Sequence, residues 1–122
     1  MPVWTAIFLG GGLGSLARFM VSSLILKVGE QFLPWATFCA NIISCAILAI
    51  FLLHFDEKYI QFPWVKAFIM IGFCGGFSTF STFSYENFWL VKNQHIWWML
   101  LNVVVSVATC FFIFYQFLKT EL

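Results

Sequence analysis

Long apolar blocks alternate with short polar joints along this chain. The apolar blocks cover residues 3–26, 33–53, 67–85 and 96–118. The first contains one charge, Arg18, the second contains none, and the third lies between Lys66 and Glu86. A helix needs about 20 mainly apolar residues to cross a bilayer, because the hydrocarbon core is about 30 Å thick and each residue rises about 1.5 Å. The pattern therefore predicts four transmembrane helices, over about 3–26, 33–53, 66–91 and 96–118. The joints at 27–32, 54–64 and 92–95 are too short for a further domain, so residues 1–122 read as a single all-α membrane domain.

Composition agrees. Hydrophobic residues make up 62% of the chain and charged residues 9%, whereas a soluble domain of this size carries roughly a quarter charged residues. Trp4, Trp35, Trp64, Trp89, Trp97 and Trp98 fall at or near block ends, where indole rings favour the headgroup region. The N-terminal block lacks a preceding basic stretch and a small-x-small cleavage site, so it reads as a span and not as a cleavable signal. Cys39, Cys45, Cys74 and Cys110 all fall inside spans without a CxxC pair and read as small apolar fillers. His54 and His95 have no metal-ligand spacing. No nucleic-acid partner is expected; the partner is membrane lipid.

Basic residues favour the cytoplasmic side of short loops. With four spans both termini share one side, which carries Lys58, Lys66 and Lys119; the other carries Lys27 and Lys92, with Arg18 inside the first span facing that end. The bias is close to nil, which predicts dual topology and an antiparallel homodimer. Size argues the same way. The interior of four helices is filled by side chains, so a conduction path forms more readily between two copies, with the subunit as the inverted repeat common in transport proteins.

Polar residues inside the spans are costly in lipid and tend to face a partner helix or an aqueous path. Thr37, Asn41 and Ser44 in the second span fall at i, i+4, i+7, one helical face, and Asn102, Ser106 and Thr109 repeat the spacing in the fourth. Such stripes fit interhelical hydrogen bonding and a lined path equally. In the first span Gly10 and Gly14 form a GxxxG, which lets backbones approach closely. It is not a phosphate loop, because no Gly-Lys-Ser/Thr follows and no strand precedes it. Arg18 is positioned either to snorkel to the interface or, the reading favoured here, to set a positive potential in a vestibule.

The third block is the least helix-like: Gly72-Phe73-Cys74-Gly75-Gly76-Phe77-Ser78-Thr79-Phe80-Ser81-Thr82-Phe83-Ser84-Tyr85-Glu86. Adjacent glycines followed by Ser-Thr pairs are poor material for an unbroken helix. Non-helical backbone at mid-membrane depth is tolerated only when buried in protein or lining a cavity. A broken third helix near 75–79 is predicted, with freed carbonyls suited to a cation and a half-helix N-terminus suited to an anion.

The candidate lining is then Asn41, Ser81, Thr82, Ser106 and Thr109 with the edges of Phe80 and Phe83. Amides and hydroxyls donate hydrogen bonds, and the edge of a phenyl ring is positive. A ring of carboxylates, as a cation channel needs, is missing, and so is a dense basic pore for multivalent anions. The residues point to a small monovalent anion, without choosing fluoride over chloride.

The segments Gly-Gly-Gly-Leu-Gly-Ser-Leu-Ala-Arg at 10–18, Asn41, and Gly-Gly-Phe-Ser-Thr-Phe-Ser-Thr-Phe at 75–83 resemble the Fluc-type (CrcB) fluoride channels, and the likeness covers the whole four-helix layout. It implies passive fluoride export, with no enzyme activity, by an antiparallel dual-topology homodimer in a bacterial inner membrane. It implies two pathways, with Phe80 and Phe83 edge-on and Asn41, Ser81 and Thr82 nearby. It also implies a central structural sodium ion held by the backbone carbonyls of Gly75 and Ser78 of both copies. Arg18 matches the family's vestibule arginine and Glu86 its acidic residue after the motif. The fourth helix matches more loosely: Ser106 fits a polar track, but Cys110 stands where a further hydroxyl is expected, leaving Thr109 or Cys110 as the next station.

Two other classes compete. A proton-coupled small multidrug exporter needs a carboxylate embedded in the first helix, which has none. A non-transporting membrane scaffold has no use for a Gly-Gly interruption flanked by Ser and Phe.

Overall fold

A computed structural model describes residues 1–28, 34–55 and 61–121. Its elements are α1 (Val3–Val28), α2 (Trp35–His54), α3 (Pro63–Lys66), a π-helical stretch (Ala67–Cys74), α4 (Gly75–Phe77), α5 (Phe80–Lys92), α6 (Ile96–Leu118) and a closing 3-10 turn (Lys119–Glu121). Every described element is helical. Four stretches, Val3–Ile25, Trp35–His54, Pro63–Lys92 and Ile96–Leu118, are long and apolar enough to cross a membrane. Leu33, the expected start of the second helix, and Lys58, used in the orientation count, lie outside the described residues.

The packing is that of a protein in lipid. The buried apolar residues are mostly small, among them Ala6, Ala40, Ala49, Ala67 and Cys74. Large ones point outward: Trp4 is 85% exposed and Phe8 80%. Lipid tails are as apolar as leucine, so burying a large side chain between helices gains little, and close backbone packing decides which faces meet.

The closest meeting is between α1 and the third span. A Cβ added at Gly10 would collide with the carbonyl oxygen of Phe68, and one at Gly14 with that of Phe73. The contact is reciprocal. A Cβ at Gly72 would come 2.9 Å from the Gly10 Cα, and one at Gly76 2.5 Å from the Gly11 carbonyl oxygen. The GxxxG of α1 therefore meets a second one, Gly72 and Gly76, on the facing helix.

Gly75 and Gly76, read above as helix-breaking, are helical; Gly75 has φ −65° and ψ −36°. The packing needs Gly76 small, and a helix supplies that spacing. The backbone leaves the helix one step later, at Ser78 (φ −77°, ψ 159°) and Thr79 (φ −150°, ψ 125°). It resumes at Phe80, where the Thr79 hydroxyl caps the new helix by accepting from the Thr82 N–H at 3.3 Å. A Ser or Thr hydroxyl is well suited to this, since it satisfies one of the N–H groups orphaned at a helix start.

The α5–α6 joint turns on Gln94, whose φ of 63° is the left-handed conformation that commonly ends helices. The Gln94 N–H donates back to the Val91 carbonyl at 3.0 Å and the His95 N–H to that of Leu90 at 2.7 Å.

Candidate ion pathway

The polar stripe of α2 is spent on the third span. The Thr37 hydroxyl donates to the Glu86 carboxylate at 2.6 Å, and the Ser44 hydroxyl to the Cys74 carbonyl at 3.0 Å. Between them Asn41 holds both sides of the Thr79 peptide: its Oδ1 accepts from the Thr79 N–H at 2.8 Å and its Nδ2 donates to the Thr79 carbonyl at 3.4 Å. A primary amide is the one uncharged side chain that can offer a donor and an acceptor side by side, as a neighbouring strand would.

This clamp accounts for the interruption through its hydrogen bonds. In a continuous helix the Thr79 N–H would reach the Gly75 carbonyl and the Thr82 N–H the Ser78 carbonyl. Here the first is taken by Asn41 and the second by the Thr79 hydroxyl. The Gly75 and Ser78 carbonyls thus lose their helical donors, on a surface where Gly75 is exposed and Ser78 half-buried. Carbonyl oxygens are the hard donors that suit an alkali or alkaline-earth cation, so the donor set fits the sodium expected above. Among the described residues no group of three or more His, Cys, Asp or Glu side chains could hold a metal.

Beside the clamp runs an open groove of about 470 Å³ between α2, the Ser78–Thr79 segment, the start of α5 and α6. Asn41, Phe80, Phe83 and Ser106 share its wall, with Ser78, Thr79, Cys45 and Cys110. Phe80 is 79% exposed, and its ring lies 6.1 Å from that of Phe83 with the planes 40° apart. Four of the expected lining residues are thus brought together. Three are not on this wall: Ser81 and Thr82 are exposed in the first turn of α5, and Thr109 is half-buried on α6. The Ser81 hydroxyl lies 3.3 Å from that of Thr79.

The α6 stripe is only partly spent on its neighbours. Asn102 donates to the Asn87 side chain on α5 at 2.8 Å and accepts from the Ser106 hydroxyl at 3.3 Å. Ser106 therefore presents oxygen lone pairs to the groove in this arrangement, and its hydroxyl must turn from Asn102 to donate to an anion. Arg18 is half-buried on α1. Glu86 bonds Thr37 through Oε1, while its buried Oε2 has no hydrogen-bond partner among the described residues.

Sequence reasoning did not place Thr79 or Cys45 on the groove wall, and it left Cys110 as an alternative to Thr109. The signal was present in the spacing: Cys45 is four residues from Asn41 and Cys110 four from Ser106, so each continues a face already singled out.

A family described as "CrcB-like protein, Camphor Resistance (CrcB)" matches residues 5–116. The chain is 38% identical over 101 residues to a protein of Flavobacterium psychrophilum, covering 83% of this chain and 82% of the relative. It is 39% identical over 105 residues to one from Azobacteroides pseudotrichonymphae, covering 82% and 83%. It is 39% identical over 106 residues to one from an Enterobacter species, covering 87% and 83%. All three are named fluoride-specific ion channel FluC, a channel and not an enzyme. With four helices able to span a membrane and this likeness over nearly its whole length, the chain is a multi-pass integral membrane protein of the CrcB family.

Proposed function

We propose that this protein is a channel that lets fluoride leave a bacterial cell down its gradient through the inner membrane. Hydrogen fluoride is a weak acid that crosses lipid neutral and ionises inside, so the anion is trapped unless a path exists. The observation that carries the reading is the groove in which Asn41 clamps the interrupted third span and Phe80 and Phe83 stand side by side. A small anion entering it exchanges hydration for weak, distributed donors: amide and hydroxyl groups and the positive edges of two phenyl rings. Weak coordination at several stations lets an ion leave as readily as it enters. Likeness to relatives named as fluoride-specific channels supports the choice of fluoride.

The working unit is an antiparallel homodimer with two pathways. Supporting this, the groove and the Gly75 and Ser78 carbonyls beside the interruption are open in the single chain. Lipid cannot satisfy such groups; a second copy can cover them. The nearly balanced lysines on the two sides support insertion both ways up. The Gly75 and Ser78 carbonyls of the two copies would hold a structural sodium ion. When bound, that ion supplies a fixed positive charge and ties the interrupted helices together. Ser81, Thr82 and Thr109 would serve as stations beyond the groove, with Arg18 and Glu86 shaping the potential at the mouths.

The test is efflux from liposomes holding purified protein, loaded with fluoride or with chloride, with valinomycin to balance charge. Fast fluoride release with little chloride release is expected; equal release of both would reject fluoride selectivity. Phe80→Ile keeps bulk and loses the polar edge, so the dimer should fold while fluoride flux falls. Wild-type flux from a folded variant would remove the ring-edge role.

The exporter reading gains one specific observation, the half-buried Glu86 carboxylate inside the third span. It lies off the groove wall and is held by Thr37, so the channel reading stands first.

A further inference from the structure

The groove has two layers. Asn41 on α2 and Ser106 on α6 form one; four residues along each helix, about 6 Å on, Cys45 and Cys110 form the next. Both cysteines are half-buried, free of disulfides and on the same groove wall, with their thiols adjoining across the α2–α6 contact. A third thiol, Cys74, is near but lies off the groove wall. Where the first layer offers oxygen and amide groups, this one offers two adjoining sulfur atoms. A thiol is a weak hydrogen-bond donor and a poor station for a hard, small anion. As thiolates, the same pair is a strong ligand set for soft metals.

We propose that the Cys45–Cys110 pair binds a soft divalent cation of the Hg²⁺ class and that a cation held there blocks the groove; the second half rests on the channel reading above. Charge and coordination number select the cation. Two thiols and one Hg²⁺ give a neutral S–Hg–S bridge and release two protons, so no net charge is left at membrane depth. A monovalent soft ion such as Ag⁺ would leave the bis-thiolate with one negative charge, which is costly to bury. Zn²⁺ prefers four ligands, and no group of three or more His, Cys, Asp or Glu is available among the described residues. The bridge would tie α2 to α6 across the wall that carries Asn41 and Ser106.

The experiment has two readouts on the full-length protein. Purified protein is treated with one equivalent of HgCl₂, washed with a monothiol, and its mercury content measured. Wild type, Cys39→Ser and Cys74→Ala should each retain one mercury; Cys45→Ser and Cys110→Ser should lose it in the wash, and ZnCl₂ should leave no bound metal. Full retention by the Cys45→Ser/Cys110→Ser double variant would overturn the site. In fluoride-loaded liposomes, HgCl₂ should abolish wild-type efflux, a dithiol should restore it, and each serine variant should keep its own untreated rate. Undiminished efflux from protein that retains mercury would overturn the block. If untreated vesicles release no fluoride, the channel reading fails by itself, and mercury retention still decides the cation site.

Discussion

The third span is held on two sides by opposite means. Toward α1 it presents glycine to glycine, with backbones so close that a Cβ at Gly10, Gly14, Gly72 or Gly76 would strike the facing chain. Toward α2 it presents carbonyls, an N–H and a carboxylate to Thr37, Asn41 and Ser44. At these glycines the first seam is backbone against backbone and leaves no room for an ion. The second keeps the helices apart by the length of a side chain, and the groove opens beside it. One span is thus anchored rigidly on one face so that its other face can leave the helix at Ser78 and Thr79 without the bundle coming apart.

Breaking the glycine seam should cost most. Gly14→Val drives a branched side chain into the backbone of Phe73, and overpacking of this kind costs about 1–3 kcal/mol. The neighbour is backbone and cannot swing aside, so the upper end is expected, read as loss of folded protein on size exclusion and a lower melting temperature in detergent. Asn41→Leu attacks the other seam. It leaves the N–H and carbonyl of Thr79 without the clamp, a loss of about 1–3 kcal/mol, and fluoride efflux should fall further than stability does. Asn102→Leu removes one interhelical hydrogen bond outside both seams; such bonds average about 0.6 kcal/mol in membranes, so only a small drop in melting temperature is expected. Gly12→Ala is the control. A Cβ there meets nothing within 4 Å, and the subunit should keep its stability to within about 1 kcal/mol. A large loss of stability from this variant would mean that this face of α1 is covered by a second copy of the proposed dimer.

The polar stripe of α2 illustrates what pattern can and cannot reveal. Its spacing identified a face, and interhelical bonding and path lining remained equal readings. In the structure Thr37 and Ser44 are bonding residues, while Asn41 both clamps Thr79 and reaches the groove wall. Spacing could not separate the two, because the difference lies in what stands opposite. The glycine run was equally coarse as a guide. Low helix propensity suggested a break near 75–79; within that range Gly75 and Gly76 are helical, and the extended residues are the Ser-Thr pair that follows. Propensity is worth about 1 kcal/mol for a glycine, and a close helix crossing outweighs it.

By itself the sequence determined the four spanning segments, since the length of an apolar run is a one-dimensional quantity that lipid thickness converts directly into a helix. It also marked Gly10 and Gly14 as a packing face and Asn41, Phe80 and Phe83 as the unusual chemistry. Only the tertiary structure decided that Gly72 and Gly76 receive the first face, that Asn41 takes the N–H which would have closed the helix onto Gly75, and that Cys45 meets Cys110. Each of these is a contact between residues far apart in the chain. Such a contact depends on how two helices cross, a relation that no local pattern along either helix contains.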